Sequence, residues 1–323
     1  NKTVKSRLGA LELRVPQTRD CGFYPQSLEK GLCSERALVV AIAEMYVQGV
    51  STRRVKSIVQ ELCGLDVSST QVSRAAAELD EVLEAWRTRP LGGYRYLVLD
   101  AQYEKVRQGG QVLDAAVLLA CGVDEDGRRD VLGCSVSLSE AEVHWREFLS
   151  SLKDRGLHGL QLVVSDAHEG LQAARKAVFG GVPWQRCQFH LQQNAGAYVT
   201  SQEQRGVVAA EIRAIFNAPD LEEAEHLRTK FVARHEKKMP KLARWADENL
   251  QEGFTAFSLP VPHRRRLRTT NMVERLNEEI RRRTRVARLF PNEASCLRLV
   301  SAIVMEIAED WQTADKRYLV MDS

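Results

Sequence analysis

The sequence predicts an α/β fold of the mixed α+β kind, in which helical regions flank one sheet-forming region. Of the 323 residues, 44% are hydrophobic and 28% charged, which is typical of a globular chain that can bury a core. Short apolar runs rich in β-forming residues are concentrated between residues 93 and 193. On both sides of that region, apolar residues recur at the three-and-four spacing of helices.

These changes of period divide the chain into four parts, at residues 1–92, 93–193, 194–262 and 263–323. The length alone predicts two or three units, at roughly 100–200 residues per domain. No apolar run approaches the ~18 residues of a membrane span, so we expect no membrane partner. The seven cysteines are odd in number and include no CxxC pair, which favours a reducing, cytoplasmic compartment.

The first part, residues 1–92, predicts an N-terminal arm followed by helices. The stretch Thr3–Val15 alternates weakly, as a strand or an arm does, and Glu35–Gln48 has helical spacing. Two short helices then follow on either side of Gly64, with a serine available to cap each of them. This pattern predicts a helix-turn-helix unit that binds DNA, an ordinary helical hairpin being the alternative. The outward residues that would reach bases or phosphates are Thr70, Gln71, Ser73 and Arg74.

Five strands are predicted in the second part, with a helix after the third and another after the fourth. The first three strands are separated by short polar turns, which indicates an antiparallel meander. This order of elements is that of a ribonuclease H-like sheet with mixed strand directions. The predicted strands are Tyr94–Asp100, Gln111–Val123, Arg129–Leu138, Leu160–Ser165 and Trp184–Leu191.

Two acidic residues follow predicted strands that should be neighbours. Asp100 ends the first strand and Asp166 directly follows the fourth, so their carboxylates can converge. Mg²⁺ prefers oxygen ligands, and two carboxylates that share a site need a cation to remain ionised together. The best third acid is Glu274, with Glu278 one turn later as its rival, and a capping box between Asn271 and Glu274 is the structural alternative. Asp166 and Glu274 are much farther apart along the chain than a bare fold of this type needs. We therefore expect the helical part 194–262 to be an insertion.

A basic stretch surrounds this third acid. Ten arginines and three glutamates lie between His263 and Arg288, although the net charge of the whole chain is only +3. This local excess predicts a polyanionic partner, a solvated helix face being the alternative. The candidate phosphate contacts are Arg264, Arg265, Arg266, Arg268, Arg281, Arg282 and Arg285.

Four ordered stretches of the sequence resemble the transposases of the Mutator superfamily, most closely their bacterial insertion-sequence branch. The resemblance implies a DDE recombinase in which Asp100, Asp166 and Glu274 form the acidic triad and hold two Mg²⁺ or Mn²⁺ ions. It also implies a ribonuclease H-like catalytic domain with a helical insertion. The stretches are Asp100–Arg107 (DAQYEKVR), Val163–Leu171 (VVSDAHEGL), Trp184–His190 (WQRCQFH) and Arg268–Val286 (RTTNMVERLNEEIRRRTRV), followed by FPNE at 290–293.

Cys187 and His190 match the C-x-x-H element of that family. They are two ligands short of a zinc site, and no second pair with ligand spacing exists. Alternating strand positions would place both beside the acids, where we expect them to shape the site or to contact DNA near the cut. A packed cysteine and a satisfied histidine are the alternative. His168, two residues after Asp166, is a candidate contact of the scissile phosphate.

The resemblance implies a DNA transposase that hydrolyses phosphodiesters at transposon ends and transfers the freed 3′-OH into target DNA. The expected partners are transposon-end DNA with its terminal inverted repeats, target DNA and a second copy of the chain in a homodimer. The expected location is the cytoplasm, at the bacterial nucleoid. A DNA-binding regulator or domesticated transposase without catalysis, and a ribonuclease H-like nuclease without strand transfer, are the alternatives. The resemblance also implies that the N-terminal DNA-binding region of the family is shortened here, which fits a first residue that is Asn rather than Met.

Overall fold

The computed structural model describes residues 2–6, 9–14, 36–48, 50–77, 79–285 and 288–321. Its N-terminal part forms a hairpin and four helices. The predicted arm is an antiparallel pair of strands, and its last predicted residue, Val15, lies outside the described residues. The elements are β1 (Lys2–Ser6), β2 (Gly9–Leu13), α1 (Arg36–Val47), α2 (Thr52–Cys63), α3 (Ser69–Ala77) and α4 (Asp80–Thr88).

Local hydrogen bonds fix both ends of α2 and the start of α3 as the sequence predicts. The Ser51 hydroxyl accepts the Arg54 N–H, and Gly64 ends α2 in the left-handed conformation, with φ of 63°. At the start of α3, the Gln71 N–H donates to the Ser68 hydroxyl and the Ser68 N–H donates to the Gln71 side chain, at 3.1 and 2.9 Å. This reciprocal capping box starts α3 at its predicted place.

A five-stranded mixed sheet forms the centre of the protein. The first three strands make the predicted antiparallel meander, and the last two run parallel to the first of them, in the order β5-β4-β3-β6-β7. The strands are β3 (Tyr94–Gln108), β4 (Gln111–Asp124), β5 (Arg129–Ser137), β6 (Leu162–Ser165) and β7 (Trp184–Arg186). The first strand is longer than predicted and the fifth is shorter.

Helices cover both faces of this sheet. On one face, Leu97 and Leu99 of β3 pack with α5 (Glu142–Asp154) and α6 (Glu169–Phe179). On the opposite face, the alternate residue Val98 packs with two C-terminal helices. Because both faces are buried, the interior strand β4 is a nearly continuous apolar run rather than an alternating one.

Four helices follow β7 and have a hydrophobic core of their own, which includes Leu191, Ile212, Leu242 and Leu250. They are α7 (Gln188–Ala195), α8 (Gln202–Phe216), α9 (Leu221–His235) and α10 (Pro240–Asn249). The arginine-rich stretch then forms α11 (Val261–Leu267) and α12 (Asn271–Thr284), and α13 (Glu293–Thr313) ends the helical part.

The segment after α13 returns to the sheet. The N–H groups of Tyr318 and Leu319 both donate to the Gly127 carbonyl, at 2.9 and 3.0 Å. Gly127 has a φ of 79°, and a Cβ there would lie 2.0 Å from the Leu319 carbonyl oxygen. The buried His263 joins this segment to the core, because its ring lies 3.0 Å from the Tyr96 hydroxyl and 2.8 Å from the Val320 carbonyl.

Two further findings concern the described part of the chain alone. None of its helices is both long enough and apolar enough to cross a membrane. Its cysteines, at positions 63, 121, 134, 187 and 296, are free thiols.

Candidate active site

Asp100 lies inside β3, opposite Leu119 of β4, and not at the end of a strand as the sequence predicted. The polar residues after Asp100 continue the strand because they pair with β4 through to Gln108. Strand β6, on the other side of β3, pairs only with residues 96–98 and ends at Ser165. Asp100 therefore lies just beyond the end of its neighbouring strand, at the place where Asp166 follows β6.

The three predicted acids share one electrostatic environment. Burial raises the pKa of the Asp100 carboxyl from its ordinary 3.8 to about 6, and the carboxylates of Glu274 and Asp166 raise it further, while His190 opposes them. Three segments that are far apart in sequence thus place acidic groups close enough to influence each other electrostatically. The rival Glu278 is exposed, and no hydrogen bond or ion pair involves it within the described part of the chain.

Two side chains, one on α12 and one directly before it, form hydrogen bonds with Asp100 and Glu274. The Asn277 amide donates to a carboxylate oxygen of Asp100 at 2.8 Å, and its own oxygen is buried without a partner among the described residues. The Thr270 hydroxyl donates to Glu274 at 3.2 Å. Sequence reasoning missed Asn277, although it lies three residues after Glu274 and hence on the same helix face.

The capping box between Asn271 and Glu274, which was the structural alternative for Glu274, is not formed. Helix α12 begins at Asn271, so Thr270 occupies the N-cap position and Asn271 lies inside the first turn with an exposed side chain. Since the Thr270 hydroxyl is directed to the Glu274 carboxylate, it does not cap the helix. Glu274 is therefore held beside the sheet by Thr270 and not by a cap.

Cys187 and His190 do not occupy alternating strand positions, because β7 ends at Arg186 and Cys187 is the N-cap of α7. They nevertheless lie beside the acids. The Cys187 thiol accepts the Thr270 N–H at 3.4 Å, and its sulfur lies at the same distance from the Thr270 hydroxyl oxygen. The same thiol raises the pKa of His190 to about 9 against the effect of burial, and the carboxylates of Asp166 and Asp100 act in the same direction. This pair thus connects α7 to the start of α12.

Asp166 is held from two sides. Its carboxylate accepts the Ala167 N–H at 2.7 Å, and the Arg186 guanidinium lies 3.9 Å away. Arg186 is itself buried, and it also binds Asn249 and Glu252 of the helical region at 3.0 and 2.8 Å. The helical region is therefore anchored directly beside the acids.

His168 is placed at the start of α6, with its ring 3.2 Å from the Glu140 carboxylate. Burial raises the pKa of Glu140. The His168 ring and the Tyr103 hydroxyl lower this pKa, and the Asp166 carboxylate raises it. Glu140 is thus a fourth acid near Asp166, and sequence reasoning did not single it out. The present partner of His168 is this carboxylate.

The donor set at this site consists mainly of carboxylate oxygens, the type that Mg²⁺ and Mn²⁺ prefer. Within the described ranges, however, no group of three or more His, Cys, Asp or Glu side chains is close enough to hold one metal ion. The acids therefore influence each other electrostatically without forming a closed ligand shell. Asp100 and Glu274 each accept one hydrogen bond, from Asn277 and Thr270 respectively.

The predicted DNA contacts on α3 have different surroundings. Thr70 and Arg74 are exposed, as a contact with DNA requires. Gln71 is engaged in the capping box with Ser68. The side chain of Ser73 lies outside the described part of the structure.

The predicted arginine contacts fall into two groups. Arg264 and Arg268 bind the helical region, through the carbonyl of Pro219 at 2.8 Å and the side chain of Asn217 at 2.6 Å. The second group is exposed, although Arg282 also binds Glu279 at 2.9 Å. The exposed members are Arg265, Arg266, Arg281, Arg282 and Arg285.

Comparison with known proteins gives a consistent result. The family model described as "Transposase, Mutator family" matches residues 1–314. The chain is 58% identical to the transposase for insertion sequence element IS406 of Burkholderia multivorans, over 98% of this chain and 82% of that protein. It is 46% identical to the transposase for ISRM5 of Rhizobium meliloti, over 99% and 80%. It is also 36% identical to the transposase for IS256 in transposon Tn4001 of Staphylococcus aureus, over 99% and 83%.

Among solved structures, one similarity is to a cryo-EM structure of the simian T-cell lymphotropic virus intasome in complex with PP2A regulatory subunit B56 gamma. It covers 70% of this chain and 72% of that chain, at 11% identity and a TM-score of 0.21. A similarity this low carries no argument about the fold.

Proposed function

The chain belongs to the Mutator family of transposases, and we propose on this basis that it hydrolyses phosphodiesters at transposon ends and joins the freed 3′-OH to target DNA. The observation that supports this chemistry is the position of Asp100, Asp166 and Glu274, which come from three distant segments into one electrostatic environment. One site then serves two nucleophiles, first water and then the 3′-OH.

We propose that these three carboxylates hold two Mg²⁺ or Mn²⁺ ions. Such ions, when bound, activate the attacking oxygen and stabilise the leaving oxygen of an in-line displacement. The raised pKa of Asp100 supports this assignment, because ionisation of a buried acid between two other carboxylates is unfavourable unless a cation is present. Asn277 orients the Asp100 carboxylate, and Arg186 lies beside Asp166 and keeps it oriented.

The sheet order supports a ribonuclease H-like catalytic domain, since a three-stranded meander is followed by two strands parallel to its first strand. In this proposal, residues 194–262 are the helical insertion, and α2 and α3 form a helix-turn-helix unit that contacts DNA. Thr70 and Arg74 would contact transposon-end DNA, and the exposed arginines of α11 and α12 would neutralise phosphates. Affinity for DNA should then fall steeply as salt is added. We further propose that two chains act as a homodimer at the nucleoid, one at each transposon end.

The test is a cleavage and joining assay with the terminal inverted repeats of the element, a target plasmid and Mg²⁺. The wild-type protein should nick the ends and join them to the target. Asp100→Ala, Asp166→Ala and Glu274→Gln should abolish both steps and preserve DNA binding, whereas Glu278→Gln, on the same helix, should retain them. Metal-independent binding without cleavage would indicate a regulator instead, and cleavage without joining would indicate a nuclease.

A further inference from the structure

A cavity of about 510 Å³ lies between α11 and the helical region that precedes it. This volume is within the range of about 300–1,000 Å³ that is usual for small-molecule sites, and it is too small for a DNA duplex. Two phenylalanines, Phe216 and Phe257, line it together with three arginines, Arg264, Arg265 and Arg268. The rest of the lining consists of smaller residues.

The charge of this cavity is unbalanced. Among the described residues, its lining includes three guanidinium groups and no acidic side chain. Burial lowers the pKa of Arg268, and the neighbouring Arg265 lowers it further, because two like charges are close together. Arg265 is exposed and has no hydrogen bond or ion pair within the part of the chain that the structure describes. An anion placed here would relieve this repulsion.

The cavity lining also includes the aromatic ring of Phe257. The Phe257 ring is half-buried, and the Arg264 guanidinium lies 5.7 Å from its centre. Arg264 cannot turn freely, since it binds the carbonyls of Leu259 and Pro219 at 3.0 and 2.8 Å. A ring and a fixed guanidinium together can stack on a planar aromatic ligand such as a nucleobase.

The position of the cavity connects it to the candidate active site. Gln188 is part of the cavity lining, and its N–H donates to the Arg268 carbonyl at 3.0 Å. Cys187, the residue before Gln188, contacts Thr270, which in turn binds Glu274. The cavity wall and the acids are therefore only a few bonded and hydrogen-bonded residues apart.

We propose that this cavity holds one unpaired nucleotide of the DNA strand next to the phosphodiester that is cut. The base stacks on Phe257, and Arg265 and Arg268 bind the phosphate. This inference rests on the proposed function and adds to it that a base near the cut leaves the duplex before or during cleavage. The combination of cations and an aromatic ring favours a nucleotide over an acidic peptide, which would not need the ring.

The test uses transposon-end duplexes that contain 2-aminopurine at each position flanking the cut, and a second set with a single unpaired nucleotide at the same positions. With the wild-type protein, fluorescence should rise at one position as that base unstacks. The duplex unpaired there should bind about ten-fold more tightly than the paired one, since stacking of one base on an aromatic side chain accounts for an effect of this size.

Phe257→Leu and Arg265→Gln should each remove this preference for the unpaired duplex. The first keeps apolar volume without the ring, and the second changes an exposed side chain, so its folding is not at risk. Arg244→Gln is the matched control, because Arg244 is exposed on α10 and is not part of the cavity lining. It should keep the full preference.

A wild-type protein that cuts DNA without any fluorescence change, or variants that keep the preference, would overturn the inference and leave the proposed function intact. Failure of the wild-type protein to cut at all with Mg²⁺ would overturn the proposed function, and this inference with it.

Discussion

Replacement of Asp100 by Asn should stabilise the metal-free protein at neutral pH although it abolishes the proposed chemistry. The structure raises the pKa of this carboxyl from 3.8 to about 6, chiefly by burial. A difference of this size corresponds to about 3 kcal/mol of unfavourable free energy when the folded protein must hold the carboxylate ionised. The uncharged Asn avoids that cost, and its side-chain oxygen can still accept the Asn277 amide.

The sign of the effect sets its pH range. Because the folded protein binds the proton of Asp100 more tightly than the unfolded chain does, this carboxyl favours folding fully below pH 3.8, and the contribution is lost as pH rises towards 6. The advantage of Asp100→Asn should therefore be small near pH 4 and complete above pH 6. Saturating Mg²⁺ should stabilise the wild-type protein and not the variant, because a cation offsets the buried charge.

Urea denaturation in the presence of a chelator, followed by circular dichroism at several pH values, measures this difference. The matched control is Asp114→Asn, which changes an exposed aspartate of the adjacent strand that pairs with Lys105. It should show no such gain. Equal stability of the wild-type protein and Asp100→Asn above pH 6 would refute the claim that burial raises the pKa of the Asp100 carboxyl.

Three further predictions follow from the structure. Gly127→Ala should lower the free energy of unfolding by at least about 2 kcal/mol more than Gly110→Ala. Both glycines have positive φ, but only a Cβ at Gly127 would meet a backbone carbonyl. Equal losses in chemical denaturation would contradict this prediction. Asn277→Ala should slow DNA cleavage about ten-fold or more through loss of a hydrogen bond to the charged Asp100, and Asn277→Asp more still; unchanged single-turnover rates would show that other contacts orient the acid. Arg74→Ala should reduce the slope of log affinity for DNA against log salt by about one, measured by fluorescence anisotropy, if Arg74 contacts a phosphate; an unchanged slope would exclude that contact.

Much of the sheet could be predicted from the sequence because its strands are apolar runs with clear turns between them. The limits of β4 and β5 were predicted to within one residue. The extent of β3 was not predictable in this way, because residues 101–108 are largely polar, and their strand conformation depends on pairing with β4. The prediction that Asp100 ends a strand was therefore wrong, whereas Asp166 directly follows its strand as predicted.

Helix boundaries in the polar stretches were harder to predict. The sequence WQRCQFHL supported a strand by composition, but the Gln188 N–H bonds to the Arg268 carbonyl and the chain turns into α7 after Arg186. The hydrogen-bond partners of buried polar groups were equally hard to predict from the sequence. Asn277 and Glu140 act through residues more than 20 positions away in sequence, and no local pattern signals such contacts.

The order of the acids along the chain has a consequence for synthesis. Asp100 and Asp166 leave the ribosome early, but α12, which carries Glu274 and packs on β3, is made only after the entire helical region. A product truncated just before α12 therefore contains all five strands of the central sheet and the first two acids without the third. If the three acids act together, the enzyme is inert until α12 has been made.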